Sequence, residues 1–291
     1  MESAYQFLVA PFVEFEFMQR ALAGAILLAL GSCPIGVFLM LRRMSLTGDA
    51  MAHAILPGAA VGFLLFGLEL VPMTIGGLVA GVVVALGAGA VSRLTVQKED
   101  ASMAAFYLIS LALGVLIVSM RGSSVDLLHV LFGTVLALND DALFLIGGIS
   151  VVTLVSLAIF WRALVAECLD PLFLRSVSSL GPPVHFLFLG LVVLNLVGGF
   201  QALGTLLAVG LMMLPAAAAR FWTTRLEPLC LLAIAIGIAS CVAGLLISYH
   251  ASLPSGPAII LSAGIVYLLS MIIGPRGLIP TRLRPAAHRT A

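Results

Sequence analysis

The sequence predicts an all-α, polytopic membrane protein with about eight or nine transmembrane helices. Of its 291 residues, 62% are hydrophobic and only 9% charged, where soluble domains carry about 25% charged residues. Mean hydropathy is +1.22. Apolar runs of roughly 20 residues recur along almost the whole chain, each enough to cross about 30 Å of hydrocarbon as a helix. The runs are continuous rather than alternating. Since only helices and closed barrels satisfy the backbone in lipid, helices are the consistent choice.

Residues 1–16 form an N-terminal segment that carries Glu14 and Glu16 and has no basic region, so it does not read as a cleavable signal peptide. Spans follow at about 17–41, 49–66, 70–92, 102–119, 142–162, 184–200, 202–219, 229–248 and 257–273. They define a membrane domain over 17–273, followed by a basic tail, 274–291. Nine spans put the termini on opposite sides. Arg42, Arg43, Arg93, Lys98, Arg162, Arg175, Arg220, Arg225 and the tail arginines then share one face, twelve of the fourteen basic residues. The positive-inside rule makes that face cytoplasmic and the N-terminus external. Arg20 and Arg121 remain outside.

Two connections are unusual. The stretch between Arg121 and Asp141 is too short in its apolar part to cross, and reads as an outside helix or re-entrant segment. The cytoplasmic stretch from Ala163 to about Pro182 mixes apolar and charged residues before Gly181-Pro182-Pro183, as a short surface helix would. It suits either the docking of a cytosolic partner or a position flat on lipid. Leu56–Ala60 and Leu214–Ala218 share a Leu-Pro-small pattern, which close helix packing explains as readily as an inverted repeat.

Nothing here hydrolyses a nucleotide: there is no Walker loop, HExxH, dinucleotide turn or GxSxG. No basic, aromatic-interleaved stretch points to nucleic acid. Cys33, Cys168, Cys230 and Cys241 lack CxxC spacing and read as buried small hydrophobes.

The chemistry concentrates in GDAMAHAILPG, Gly48 to Gly58. Asp49 and His53 are four apart and so share one helix face. Ionisable groups in a bilayer are costly, and a carboxylate beside an imidazole is a two-ligand cation site. Two ligands are too few for a closed structural zinc site and suit an open, transient one. Capping of the helix start is the competing role for Asp49. Pro57 cannot donate to the His53 carbonyl, which leaves open backbone beside the imidazole. Weaker candidates are His129 and His250 at the outer face and Gln201 beside a Gly-Gly-Phe break. Asn195 flanks the same break; for Gln201 interhelical hydrogen bonding competes with a position on the path, and His185 reads as interfacial.

LRRMSLTGDAMAHAILPG (Leu41–Gly58) closely resembles the hallmark of permease subunits of bacterial zinc/manganese/iron ABC importers. The similarity extends to LFGTVLALNDDAL (Leu131–Leu143), QALGTLLAVGLMMLPAAAAR (Gln201–Arg220) and SYHASLPSGPAIIL (Ser248–Leu261), in the expected order. The resemblance implies a fold related to the vitamin B12 and siderophore importers, in the bacterial plasma (inner) membrane. It implies a homodimer of permeases, cytosolic ATPase subunits and an extracytoplasmic metal-binding protein, with a transported divalent metal and no permanently bound cofactor. Asp49 and His53 match the family's metal-path residues. The segment with Glu167, Asp170, Arg175 and Gly181 matches the helix that meets the ATPase. Ala52 departs from a common serine, and Leu174–Val177 departs from a small-residue pattern. The imidazole tilts the expected cargo toward zinc, with manganese or iron as alternatives. The rivals of other classes are an ion-coupled secondary carrier and an intramembrane metalloenzyme. The latter needs a third ligand and a base that the sequence does not offer.

Overall fold

A computed structural model describes residues 5, 9–67, 69–96, 99–120, 138–169, 174 and 181–279. Among them every regular element is a helix. In chain order these are α1 (Ala10–Glu14), α2 (Glu16–Leu41), α3 (Ser45–Ala54), α4 (Leu56–Phe66), α5 (Leu70–Leu94), α6 (Glu99–Met120), α7 (Asp140–Leu169), α8 (Gly181–Leu203), α9 (Thr205–Ala219), α10 (Leu226–Ala251) and α11 (Ser255–Ile273). Eight spans are long and apolar enough to cross a membrane, with α3 and α4 together making the second, Thr47–Phe66.

The ninth expected span is α9, whose 15 residues reach about 22 Å at 1.5 Å per residue. It is short because the chain reverses within the bundle. Gly204 turns at φ 91°, a conformation that favours glycine, and joins α8 directly to α9. The far end of α9 returns to the basic side. There the Arg276 N–H donates to the Phe221 carbonyl at 3.1 Å and the Arg276 guanidinium to Thr224 Oγ1 at 3.0 Å.

One boundary differs more. α7 runs 30 residues, about 45 Å, and therefore includes Ala163–Leu169. Those residues extend a span instead of opening a surface helix; 170–173 and 175–180 lie outside the described residues. At its outer end α7 is capped by Asn139, whose Oδ1 accepts the Ala142 N–H at 2.9 Å. Asp140 in the first turn favours the helix dipole and meets Arg20 Nε at 3.3 Å.

Two apolar clusters are built on α2. The outer one joins Met18, Leu28 and Cys33 to Leu207 of α9 and Leu245 of α10. The inner one joins Phe38 and Leu39 to Met51, Ile55, Phe188 and Met212. Around this centre α5 exposes Val71, Ile75, Val79 and Val83, and α11 exposes Leu261, Ile265, Leu268 and Ile272. Stripes at three- and four-residue spacing, apolar yet exposed, are lipid-facing helix surfaces. The cysteines are free, Cys33, Cys230 and Cys241 being buried and Cys168 half-buried.

Candidate functional site

The path to Asp49 begins at a tight turn. α2 ends at Leu41; the Arg43 N–H then donates to the Met40 carbonyl (3.2 Å) and the Met44 N–H to the Leu39 carbonyl (2.9 Å). This is a Schellman motif, with the buried side chains of Met44 and Leu39 supplying its apolar contact. Arg43 occupies the left-handed position at φ 60°, where glycine is usual.

α3 starts at Ser45, with Met44 as the N-cap and no side-chain cap bond. Asp49 therefore lies in the second turn, and the capping role considered for it is not the one it has. The helix breaks at Ile55, whose backbone keeps helical angles (φ −74°, ψ −27°), and α4 carries Pro57 in its first turn. Neighbours repair this break. Ser110 Oγ of α6 donates to the Ala54 carbonyl at 2.9 Å, satisfying a backbone acceptor that lipid would leave bare. A Cβ on Gly114 of α6 would lie 3.1 Å from the Pro57 nitrogen, so the two backbones are nearly in contact. On the other side Gly58 meets Gly76 of α5, where a Cβ on either would collide with the other's carbonyl oxygen.

These contacts set the position of the pair along α6. His53, Ala54 and Pro57 run beside Tyr107, Ser110 and Gly114 in order. Tyr107, its ring 6.4 Å from the His53 ring, comes eight residues after Glu99 at the start of α6. His53 thus sits about 12 Å along that helix.

The His53 Nε2 to Asp49 Oδ1 separation is 3.9 Å. That is too long for a hydrogen bond, yet a cation bonded at about 2.0–2.2 Å to each atom would span it. The Asp49 side chain is 67% exposed and that of His53 36%. The other imidazole nitrogen, Nδ1, is buried with no hydrogen-bond partner among the described residues. No group of three or more His, Cys, Asp or Glu placed to hold a metal occurs among the described residues. The pair can therefore offer a cation two ligands, with its remaining coordination left to water or a second chain.

The other sequence candidates stand apart from this pair. His250 is exposed in the last turn of α10, packed edge-on against Tyr249 at 5.2 Å. Tyr249 in turn lies 5.6 Å from Phe15 at the outer start of α2. Gln201 falls in the last turn of α8. His129, Asp170 and Arg175 lie outside the described residues, and Gly181 opens α8. Asn195 bonds between helices, its Nδ2 donating to Thr153 Oγ1 of α7 at 2.7 Å.

Glu167 has surroundings the sequence did not reveal. Its carboxylate is buried and faces Arg42, with Oε1 3.2 Å from Arg42 Nη2. The same nitrogen lies 3.0 Å from His185 Nδ1, and the guanidinium stacks 4.8 Å above the Phe188 ring. Glu167 therefore does not present its carboxylate to a cytosolic partner. His185, in the first turns of α8, is buried as well, with only 5% of it exposed. A charged residue at the end of an apolar run was a visible signal that a buried partner was needed, but not of which one.

Residues 14–274 match the model of the ABC 3 transport family. The chain is 33% identical over 263 residues to the manganese import system permease protein ScaB of Streptococcus gordonii, covering 90% of this chain and 93% of that one. It is 34% identical over 271 residues to the manganese transport system membrane protein MntC of Halalkalibacterium halodurans, covering 93% and 91%. Among solved structures it resembles PsaBC from Streptococcus pneumoniae in complex with Fab (TM-score 0.82, 32% identity, 95% of this chain and 97% of that one). A metal-chelate type ABC transporter in an inward-facing conformation shares the fold at 13% identity, with a TM-score of 0.64 over 87% of this chain and 84% of that one. With eight membrane-length apolar helices and this match along nearly its whole length, the chain is a multi-pass plasma-membrane permease and belongs to the ABC 3 transport family.

Proposed function

We propose that the chain is the membrane-spanning subunit of an ATP-driven importer of a divalent transition metal, manganese before zinc or iron. The observation that carries this reading is the Asp49–His53 pair, held in an interrupted helix and left open on one side with two ligands. An open, incomplete site releases its ion as readily as it binds it, which a path requires and a structural site does not. The expectation of zinc rested on one imidazole. Manganese takes its place because the relatives above are named for it, and a carboxylate with water suits that ion.

In this reading the energy comes from separate cytosolic ATPase subunits, and an extracytoplasmic binding protein delivers the ion. A second copy of the chain faces Asp49 across the path, so that two pairs border one route. Asp49 and His53 replace part of the ion's hydration shell at mid-passage, and alternating access opens the route first outward and then inward. The chain catalyses no reaction itself.

The test is uptake of radiolabelled manganese into vesicles holding the permease with its ATPase and binding protein. The expected result is uptake that requires ATP and is competed less well by zinc than by unlabelled manganese. Uptake that persists without ATP would assign the chain to ion-coupled secondary carriers instead.

A further inference from the structure

The Arg42–Glu167–His185 cluster stands apart from the Asp49–His53 pair and joins the ends of three helices, α2, α7 and α8. Arg42 caps the C-terminus of α2. Glu167 stands in the last turn of α7 and His185 in the first turns of α8, on either side of residues 170–180. One guanidinium thus holds both ends of the cytoplasmic connection between α7 and α8. The same residue opens the hydrogen-bonded turn through Arg43 and Met44 into the helix of Asp49 and His53.

The cluster is dry. The side chains of Arg42, Glu167 and His185 are 8%, 3% and 6% exposed. Phe188 lies under the guanidinium, and Phe38 packs on Phe188 and edge-on against Trp161 at 5.5 Å. A buried ion pair is a poor source of net stability, because desolvation cancels most of the attraction, so its retention points to another use. The pair also makes less than its full complement of bonds. Among the described residues neither Arg42 Nη1 nor Glu167 Oε2 has a hydrogen-bond partner. Guanidinium and carboxylate readily close two parallel bonds, so a small shift of α7 against α2 converts this single-bonded contact into a bidentate one. An element with two discrete arrangements is what coupling between distant sites needs.

We propose that Arg42 and Glu167 form a clamp that carries movement of α7 and α8 to the helix bearing Asp49 and His53, an inference that rests on the ATP-driven transport reading above. Both are positioning residues: they touch no cargo, and they act by setting where the α3 helix stands.

The experiment uses the full chain with its ATPase and binding protein in vesicles, and measures metal taken up per ATP hydrolysed. Glu167→Gln keeps the size and one acceptor for Arg42 but removes the charge; Arg42→Lys keeps the charge but cannot close two bonds. The expected result is that both variants assemble with the ATPase and hydrolyse ATP within about twofold of the unsubstituted protein, while metal per ATP falls about fivefold or more. A ratio that stays unchanged, or uptake and hydrolysis that fall together, overturns the clamp. Failure of both variants to assemble also overturns it, because the cluster is then a folding element. The two readings fail separately. Absence of ATP-dependent uptake by the unsubstituted protein sinks the transport reading, whereas an unchanged ratio beside a working unsubstituted protein sinks only the clamp.

Discussion

Arg42 and Asp49 stand on either side of one turn, and their surroundings are opposites. Arg42 is enclosed with a carboxylate, an imidazole and an aromatic ring against it. Asp49 is mostly exposed, and the His53 ring nitrogen beside it is too distant for a hydrogen bond. The contrast separates two uses of charge inside a membrane domain. A charge that is enclosed and paired holds helices in register, and its loss leaves an unpaired ion in low dielectric. A charge left open on a broken helix is available to something that arrives and leaves.

The contrast breaks most sharply under alanine. Glu167→Ala strands the Arg42 guanidinium and is expected to cost about 3–5 kcal/mol, lowering the unfolding temperature of the detergent-solubilised protein markedly. Asp49→Ala, at an exposed position, is expected to change stability by only about 0.5 kcal/mol or less in the same assay. Equal losses at the two positions would mean that Asp49 is a structural residue too.

A smaller effect belongs to the repair of the broken helix. Ser110→Ala removes the hydroxyl that serves the Ala54 carbonyl, and is expected to cost about 1–3 kcal/mol through the unsatisfied acceptor. It should also lower transport, because the Asp49–His53 turn is no longer held. Unchanged stability in thermal unfolding would show that water or lipid headgroups serve that carbonyl instead.

The smallest effect has the opposite sign. Arg43 holds a left-handed conformation at the turn between the two charged regions. Arg43→Gly removes a conformational penalty of roughly 1 kcal/mol but frees the unfolded chain, so a net gain of a few tenths of a kcal/mol is expected. A loss of stability would mean that the Arg43 side chain makes a contact worth more than the strain.

How much of this was legible in the sequence depended on whether a feature is local. The spans could be read because hydropathy needs no partner, and Pro57 announced the helix break because a missing N–H is a property of one residue. Asp49 and His53 were found because four residues make a helical neighbour. The packing of the pair's helix was not legible, since it is set by Tyr107, Ser110 and Gly114 on another helix. The ends of spans were misread where tertiary packing carries a helix past its apolar run, as at Ala163–Leu169, and by a few residues at the turn through Gly204, which follows Leu203 rather than residue 200. Arg42 passed as one more cytoplasmic charge and His185 as an interfacial one. Arg42 meets Glu167 and His185 at positions more than a hundred residues away, and no local pattern records it.

The most direct test of the open pair compares ATP-dependent manganese uptake in vesicles containing the unsubstituted permease, Asp49→Ala or His53→Ala, each at matched amounts of assembled transporter. Asp49 and His53 as path ligands predict that both variants assemble normally and lose uptake almost completely. Uptake at the unsubstituted rate by either variant would contradict the assignment of that residue to the path.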